Sequence, residues 1–101
     1  MRTILLCAGV AAASAAHGQS PDALYVKSLA ATCANCHGTD GRTTTGSAVP
    51  ALAGMPREYM LLQLKSFRDG SRPATVMHQI TKGFSEPQLQ QIASYFAAQK
   101  K

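Results

Sequence analysis

The sequence predicts an all-α fold of about four helices, and three observations predict it. No stretch sustains the period-two alternation of apolar and polar residues that a half-buried strand requires. Two segments, Met60–Phe67 and Leu89–Phe96, repeat their apolar residues at helical spacing. Serine, proline and glycine fall where helices begin and end.

Ser20-Pro21-Asp22 reads as a helix start, with an N-cap, a proline at the first position and an acid in the first turn. The helix runs from Ala23 to about Asn35, with Leu24, Leu29 and Ala31 among its apolar positions. Residues 38–50, G-T-D-G-R-T-T-T-G-S-A-V-P, form a loop. Pro56 opens a second helix that Gly70 closes, and Met60, Leu61, Leu64 and Phe67 give it one apolar stripe. A short helix from about Ala74 to Lys82 stops at Gly83. Ser85-Glu86-Pro87-Gln88 has the S-x-x-Q form of a capping box, and Leu89, Ile92, Ala93 and Phe96 follow at helical spacing.

Ahead of these elements the chain opens with one basic residue, Arg2, an apolar run from Ile4 to about Ala16, and the small residues Ala16 and Gly18. That is the pattern of a secretory leader over residues 1–18, with the functional domain at 19–101. The run is too short for a retained membrane span. Leu6 stands before Cys7 where a lipid-anchoring signal carries a small residue, so a lipid anchor is disfavoured and no membrane anchor is expected. Cleavage leaves two cysteines, Cys33 and Cys36, in a chain of about 80 residues, a size that usually needs a metal, a cofactor or disulfides to supplement its core.

The formal net charge is +5. The positives are scattered in runs of no more than two and do not interleave with aromatics, which speaks against nucleic acid binding. The bias would still steer encounters with an acidic partner.

The chemistry concentrates in C-A-N-C-H-G, residues 33–38. A thiol oxidoreductase places C-x-x-C at a strand-to-helix junction, and no strand is expected here. A zinc module needs four ligands; Cys33, Cys36, His37 and His78 can be counted, but Cys36 and His37 are adjacent, and no second C-x-x-C or H-x-x-x-H accompanies them. C-x-x-C-H is the c-type haem attachment signature. Two thiols at this spacing reach the two vinyl groups of one porphyrin as thioethers, and the next residue, His37, is carried under the ring as an iron ligand. Export agrees, because attachment of this kind occurs outside the cytoplasm. The expected cofactor is one covalently attached haem c.

A second axial ligand would come from Met55, Met60, Met77 or His78. Met60 lies on the apolar stripe, where methionine is core filler. Met55 follows His37 too closely for the chain to round the haem edge with ease. Met77 follows one loop and one helix, on an element set apart by Gly70-Ser71-Arg72-Pro73, and is the expected ligand. The apolar residues Ala48, Val49, Ala51, Leu52 and Met55 belong near the haem crevice, with Leu52 a cofactor-contacting candidate.

The chain from residue 19 onward resembles a class I c-type cytochrome. The likeness rests on C-A-N-C-H-G-T-D-G at 33–41, V-P-A-L-A-G at 49–54, R-E-Y-M-L-L-Q-L-K-S-F-R-D-G-S-R at 57–72, T-V-M-H-Q-I-T-K-G-F-S at 75–85 and L-Q-Q-I-A-S-Y-F at 89–96. The middle and late blocks are similar to the cytochrome subunit of flavocytochrome c sulfide dehydrogenase and to related small periplasmic monohaem cytochromes. The resemblance implies a class I cytochrome c fold around one haem, Met77 as distal ligand, a Pro50 carbonyl bonded to the haem histidine, and Tyr95 packed on the first helix. Many class I chains carry glycine eight positions before the first haem cysteine; this one has Tyr25. The function implied is periplasmic electron transfer rather than catalysis, as a subunit accepting electrons from a sulfide-oxidising flavoprotein or, alternatively, as a free diffusible carrier between redox enzymes.

Overall fold

A computed structural model of the chain describes residues 20–101 together with Gly9. The leader expected over residues 1–18, with its Cys7 and cleavage point, otherwise lies outside the described residues. Five α-helices follow in order: α1 (Pro21–Ala31), α2 (Ala34–His37), α3 (Arg57–Asp69), α4 (Met77–Lys82) and α5 (Glu86–Ala97), with a 3₁₀ turn at Thr39–Gly41 after α2. No strand occurs among the described residues, as expected.

The fifth helix arises because the first expected helix breaks. At Thr32 and Cys33 the backbone N–H groups bond three residues back, to Leu29 and Ala30. The Thr32 hydroxyl also donates to the Leu29 carbonyl at 2.7 Å. A threonine that bonds the preceding turn competes with the helical ladder, so α1 ends at Ala31 and α2 restarts as a single turn carrying Cys36 and His37. The third expected helix is also shorter than its pattern suggested. Val76 keeps φ at −134°, outside the helical region, and α4 begins at Met77.

The remaining boundaries follow their caps. Ser20 accepts from Ala23 N–H at 3.2 Å. The capping box closes both ways: the Ser85 hydroxyl accepts from Gln88 N–H, and the Gln88 amide oxygen accepts from Ser85 N–H at 2.8 Å. Gly70 ends α3 in the left-handed region, φ 84°.

The core lies where α5 crosses α1 and α3. Leu89, Ile92, Ala93 and Phe96, the stripe expected of α5, are all buried. Each large apolar side chain removed from water here contributes roughly 1.5–3 kcal/mol. From α3 come Met60 and Leu61, and from α1 chiefly Ala30. The expected apolar positions of α1 fare differently: Leu24 and Ala31 are exposed and Leu29 half-buried. The small side chain of Ala30 brings the end of α1 close to α5, and the beginning of the helix stays in solvent. Tyr25 stands away from the core, half-exposed, where its hydroxyl accepts from Gln88 Nε2 at 2.9 Å. The crossing therefore accommodates the tyrosine without burying it.

The segment from residue 38 to 55 is fastened to this core. The Gly41 carbonyl accepts from both Leu52 and Ala53 N–H, and Gly54 N–H donates to the Phe96 carbonyl at 2.9 Å. Gly41 is itself buried with φ 76°, and a Cβ there would meet Ala53 N, Leu52 Cβ and Phe96 Cδ1 at 2.9 Å. Gly70 has a similar φ, 84°, and open space around it. Gly70→Ala should therefore lose only the left-handed backbone preference, roughly 1–2 kcal/mol. Gly41→Ala adds an overpacking penalty of roughly 1–3 kcal/mol. Denaturant unfolding of the two variants against the parent checks the order.

Candidate functional site

An apolar cavity of about 410 Å³ opens between the short helix α2, the loop that follows it, and helices α3 and α4. All six expected site residues, Cys33, Cys36, His37, Pro50, Leu52 and Met77, line it. They come from three separate stretches of chain. α2 and its flanking residue Cys33 supply the C-x-x-C-H residues, the fastened loop supplies Pro50 and Leu52, and the first position of α4 supplies Met77. α4 packs on α3 and α2 packs on the 3₁₀ turn, so the histidine and the methionine belong to different walls.

His37 is the buried member of the motif, 8% exposed. Its Nδ1 lies 2.7 Å from the Pro50 carbonyl oxygen. A carbonyl can only accept, so Nδ1 is the N–H donor, the tautomer that in a neutral imidazole leaves the lone pair on Nε2. The ring is thus fixed in orientation and tautomer by a backbone group, as ligand histidines commonly are.

Cys33 is half-buried and Cys36 exposed, and no disulfide joins them. Burial pushes the Cys33 thiol above its ordinary value, against a smaller opposing effect of the Thr32 hydroxyl. Thiols that exchange disulfides are instead held low, at helix N-termini or beside cations. Among the described residues no three His, Cys, Asp or Glu side chains cluster in a way that could hold a metal ion, short of the four ligands of structural zinc.

Of the alternatives to Met77, His78 does not line the cavity, and its Nδ1 is buried without a hydrogen-bond partner. Met55 and Met60 do line it, with Met60 also buried in the core at 3% exposure. Wall residues not among the expected site residues include Thr32, Tyr59, Gln63, Arg72, Val76 and Ile80. Gln63 and Arg72 stand out, because the rest of the wall is largely apolar. Their signal was available in the block Q-L-K-S-F-R-D-G-S-R, where Gln63 and Phe67 share one helix face. The cavity chemistry fits a haem: sulfur donors and an oriented imidazole at one wall, a thioether at another, and hydrocarbon between.

A second, wider groove of about 920 Å³ runs along α1 and α5 past Asp22, Lys27, Arg57 and Gln91. It is open to solvent and carries none of the six residues. Tyr95 lines it together with Ala23 and Val26 of α1, but its hydroxyl turns to the 3₁₀ turn and donates to Asp40 at 2.5 Å.

The family model for cytochrome c matches residues 23–99, and the chain belongs to that family. Membership implies a covalently bound haem c, with its iron, and a role in electron transfer rather than in catalysis. The chain is 41% identical over 67% of its length to the cytochrome subunit of sulfide dehydrogenase from Chlorobaculum tepidum, of which it covers 60%. It is 36% identical over 97% of its length to cytochrome c4 from Pseudomonas aeruginosa, covering 47% of that protein. It is 38% identical over 70% of its length to a thiosulfate dehydrogenase electron acceptor from Thiomonas intermedia, covering 33%. The chain thus spans between a third and three fifths of the length of these relatives. A solved cytochrome c4 structure from Acidithiobacillus ferrooxidans superposes with a TM-score of 0.69 at 30% identity, over 77% of this chain and 50% of that one. The class I fold expected from the sequence is the fold found.

The Tyr95–Asp40 bond, which ties α5 to the turn just after His37, is testable through pH. The hydrogen bond to Asp40, with burial behind it, raises Tyr95 to about 12, above the ordinary value of about 10. A raised folded-state pKa means the neutral phenol is the stabilised form. Its contribution is complete below pH ~10 and is lost as pH rises through about 12. Tyr95→Phe should lower stability by about 1 kcal/mol at neutral pH. The gap between variant and parent should close as pH climbs through that window, read from denaturant midpoints.

Proposed function

We propose that the chain is a periplasmic electron carrier whose domain, residues 19–101, holds one haem c through Cys33 and Cys36, with His37 and Met77 as axial ligands. The observation that carries the reading is the His37–Pro50 hydrogen bond at the end of a C-x-x-C-H helix, on the wall of an apolar cavity that Met77 also lines. When bound, the haem supplies a one-electron ferric–ferrous couple. The chain's own residues place and tune it. The two thiols anchor one edge through carbon–sulfur bonds. Pro50 holds the imidazole in the tautomer that presents Nε2 and strengthens its basicity. A thioether from Met77 as the second ligand would favour ferrous iron more than a second imidazole would, which would raise the potential. Leu52, Val49, Leu64 and Ile80 give the cavity a low-polarity lining. The leader over residues 1–18 delivers the chain to the compartment where such attachment takes place.

The partner we propose is a sulfide-oxidising flavoprotein, to which this chain would be the electron-accepting cytochrome subunit. Likeness to the cytochrome subunit of sulfide dehydrogenase supports this. Likeness to an electron acceptor of thiosulfate dehydrogenase favours a second reading, a free carrier that visits its donor and leaves. No helix among the described residues is long and apolar enough to cross a membrane. Co-purification separates the two readings: a subunit brings a flavoprotein through gel filtration, and a free carrier elutes alone with an association rate that falls steeply with salt.

The ligand assignment has its own test. Ferric iron bound by a thioether gives a weak band at the near-infrared edge of the spectrum. Met77→Ala should abolish the band and lower the potential. Met60→Ala should keep the band and lose roughly 2–5 kcal/mol of stability through its core cavity. A band that survives in Met77→Ala would pass the role to Met55 or Met60.

A further inference from the structure

His37 and Pro50 are joined by a closed circuit of chain and hydrogen bonds. From His37 the chain runs through Gly38, Thr39 and Asp40 to Gly41, whose carbonyl accepts from Leu52 N–H at 2.8 Å. From Leu52 it returns through Ala51 to Pro50, whose carbonyl oxygen lies 2.7 Å from His37 Nδ1. Three residues of the first arm have positive φ: Gly38 at 80°, Asp40 at 54° and Gly41 at 76°. Glycine adopts that region freely; other L-residues are strained there, asparagine and aspartate least. Asp40 is the one non-glycine residue with positive φ among the described residues. Such strain persists where the surroundings over-determine it, and here they do. The Tyr95 hydroxyl donates to Asp40 Oδ1 at 2.5 Å, and Arg42 Nη1 lies 3.6 Å from Oδ2. Arg42 is itself tied through Nε to the Lys100 carbonyl at 2.9 Å. Among the described residues, the Tyr95 bond is the one hydrogen bond between a side chain of the circuit and a helix outside it. Asp40 lines the groove along α1 and α5 and not the apolar cavity, so any effect on the site passes through the circuit.

We propose that Asp40 is a positioning residue for the axial histidine: clamped to α5 by Tyr95, it fixes the turn that sets the length of the His37–Pro50 bond, and through that bond the donor strength of the imidazole. This rests on the haem reading above. A short bond from Nδ1–H to a carbonyl moves electron density toward Nε2 and makes the imidazole a stronger ligand. A stronger donor favours ferric iron and holds the potential down. Releasing the clamp lets the strained turn relax, lengthens the bond and raises the potential. The charge of Asp40 acts separately, because a carboxylate lowers the potential through space whatever the shape of the turn. Three substitutions part the two effects. Tyr95→Phe keeps the charge and removes the clamp. Asp40→Asn removes the charge and keeps both an acceptor oxygen and the tolerance for left-handed backbone. Asp40→Ala removes all three.

The test reads two quantities in the haem-loaded protein: the solvent exchange rate of the His37 Nδ1–H, from proton NMR of the ferrous form, and the midpoint potential. In Tyr95→Phe the exchange should quicken roughly fivefold or more, the worth of one hydrogen bond, and the potential should rise. Asp40→Ala should show both effects more strongly. Asp40→Asn should exchange at the parent rate, with its potential raised by the loss of charge alone. Gly70→Ala, which lowers stability at a place outside the circuit, should match the parent in both readings. Exchange or potential at the parent value in a folded, haem-loaded Tyr95→Phe protein overturns the proposal. An Asp40→Asn protein that exchanges as fast as Tyr95→Phe overturns it too, since the charge and not the held turn would then be responsible. Should Asp40→Ala not accumulate, Tyr95→Phe, which lacks a single oxygen, decides alone. A parent chain that takes up no haem sinks the underlying reading instead, so the two failures are distinct.

Discussion

The hydrogen bond between His37 and the Pro50 carbonyl is where the local and the long-range parts of this fold meet. Helix α2 is a single turn with no side-chain cap, and such a turn has little stability of its own. It is positioned from outside: by Thr32 and Cys33, where α1 gives way, and by the returning loop, whose proline carbonyl receives the imidazole N–H. That loop is in turn held by the Gly41 carbonyl and by the end of α5. Fix the histidine and the loop is fixed, and with it one wall of the cavity. Tyr95 reaching Asp40 and Arg42 reaching the Lys100 carbonyl add two further ties between the C-terminal region and the same turn.

The opposite wall has a different logic. α3 gives its apolar stripe twice over: Met60 and Leu61 to the core shared with α5, and Leu64 and Phe67 to the cavity. α4 needs no more than six residues because it has only to present Met77 and be anchored by the nearly fully buried Thr81, whose hydroxyl donates to the Met77 carbonyl at 2.9 Å. Apolar walls make charge on the iron expensive to bury, which favours the less charged ferrous state. Electron transfer then depends on what docks beside the cavity, and the same scaffold serves both a permanent subunit and a mobile carrier.

Much of this was legible in the sequence because the signals are local. Caps at Ser20, Ser85 and Gly70, the stripe on α5, and C-x-x-C-H all declare themselves within a few residues. What was misread depends on competition or on tertiary contact. The break after α1 comes from Thr32 bonding backward, an option equally open to a threonine inside a continuous helix. The exposure of Leu24 follows from which part of α1 meets α5, which no periodicity in an alanine-rich helix reveals. Cys33 and Met77 were expected on one cavity from the motif and from the placement of Met77 beyond one loop and one helix, whereas the Pro50 carbonyl was expected there only through resemblance. Gln63 and Arg72 belong to a block that carries the resemblance, but nothing in that block places them at the cavity; the stacking of Arg72 on Phe67 does.

The account stands on a single haem attached to two specific thiols, and mass spectrometry addresses that directly. Protein recovered from cells equipped for periplasmic haem attachment, denatured and extracted with acid and acetone, should carry the mass of one haem. Proteolysis should place that mass on the peptide containing Cys33, Cys36 and His37, in a chain beginning near residue 19. A denatured chain at its bare mass, with Cys33 and Cys36 free, oxidised to each other or holding zinc, would contradict it.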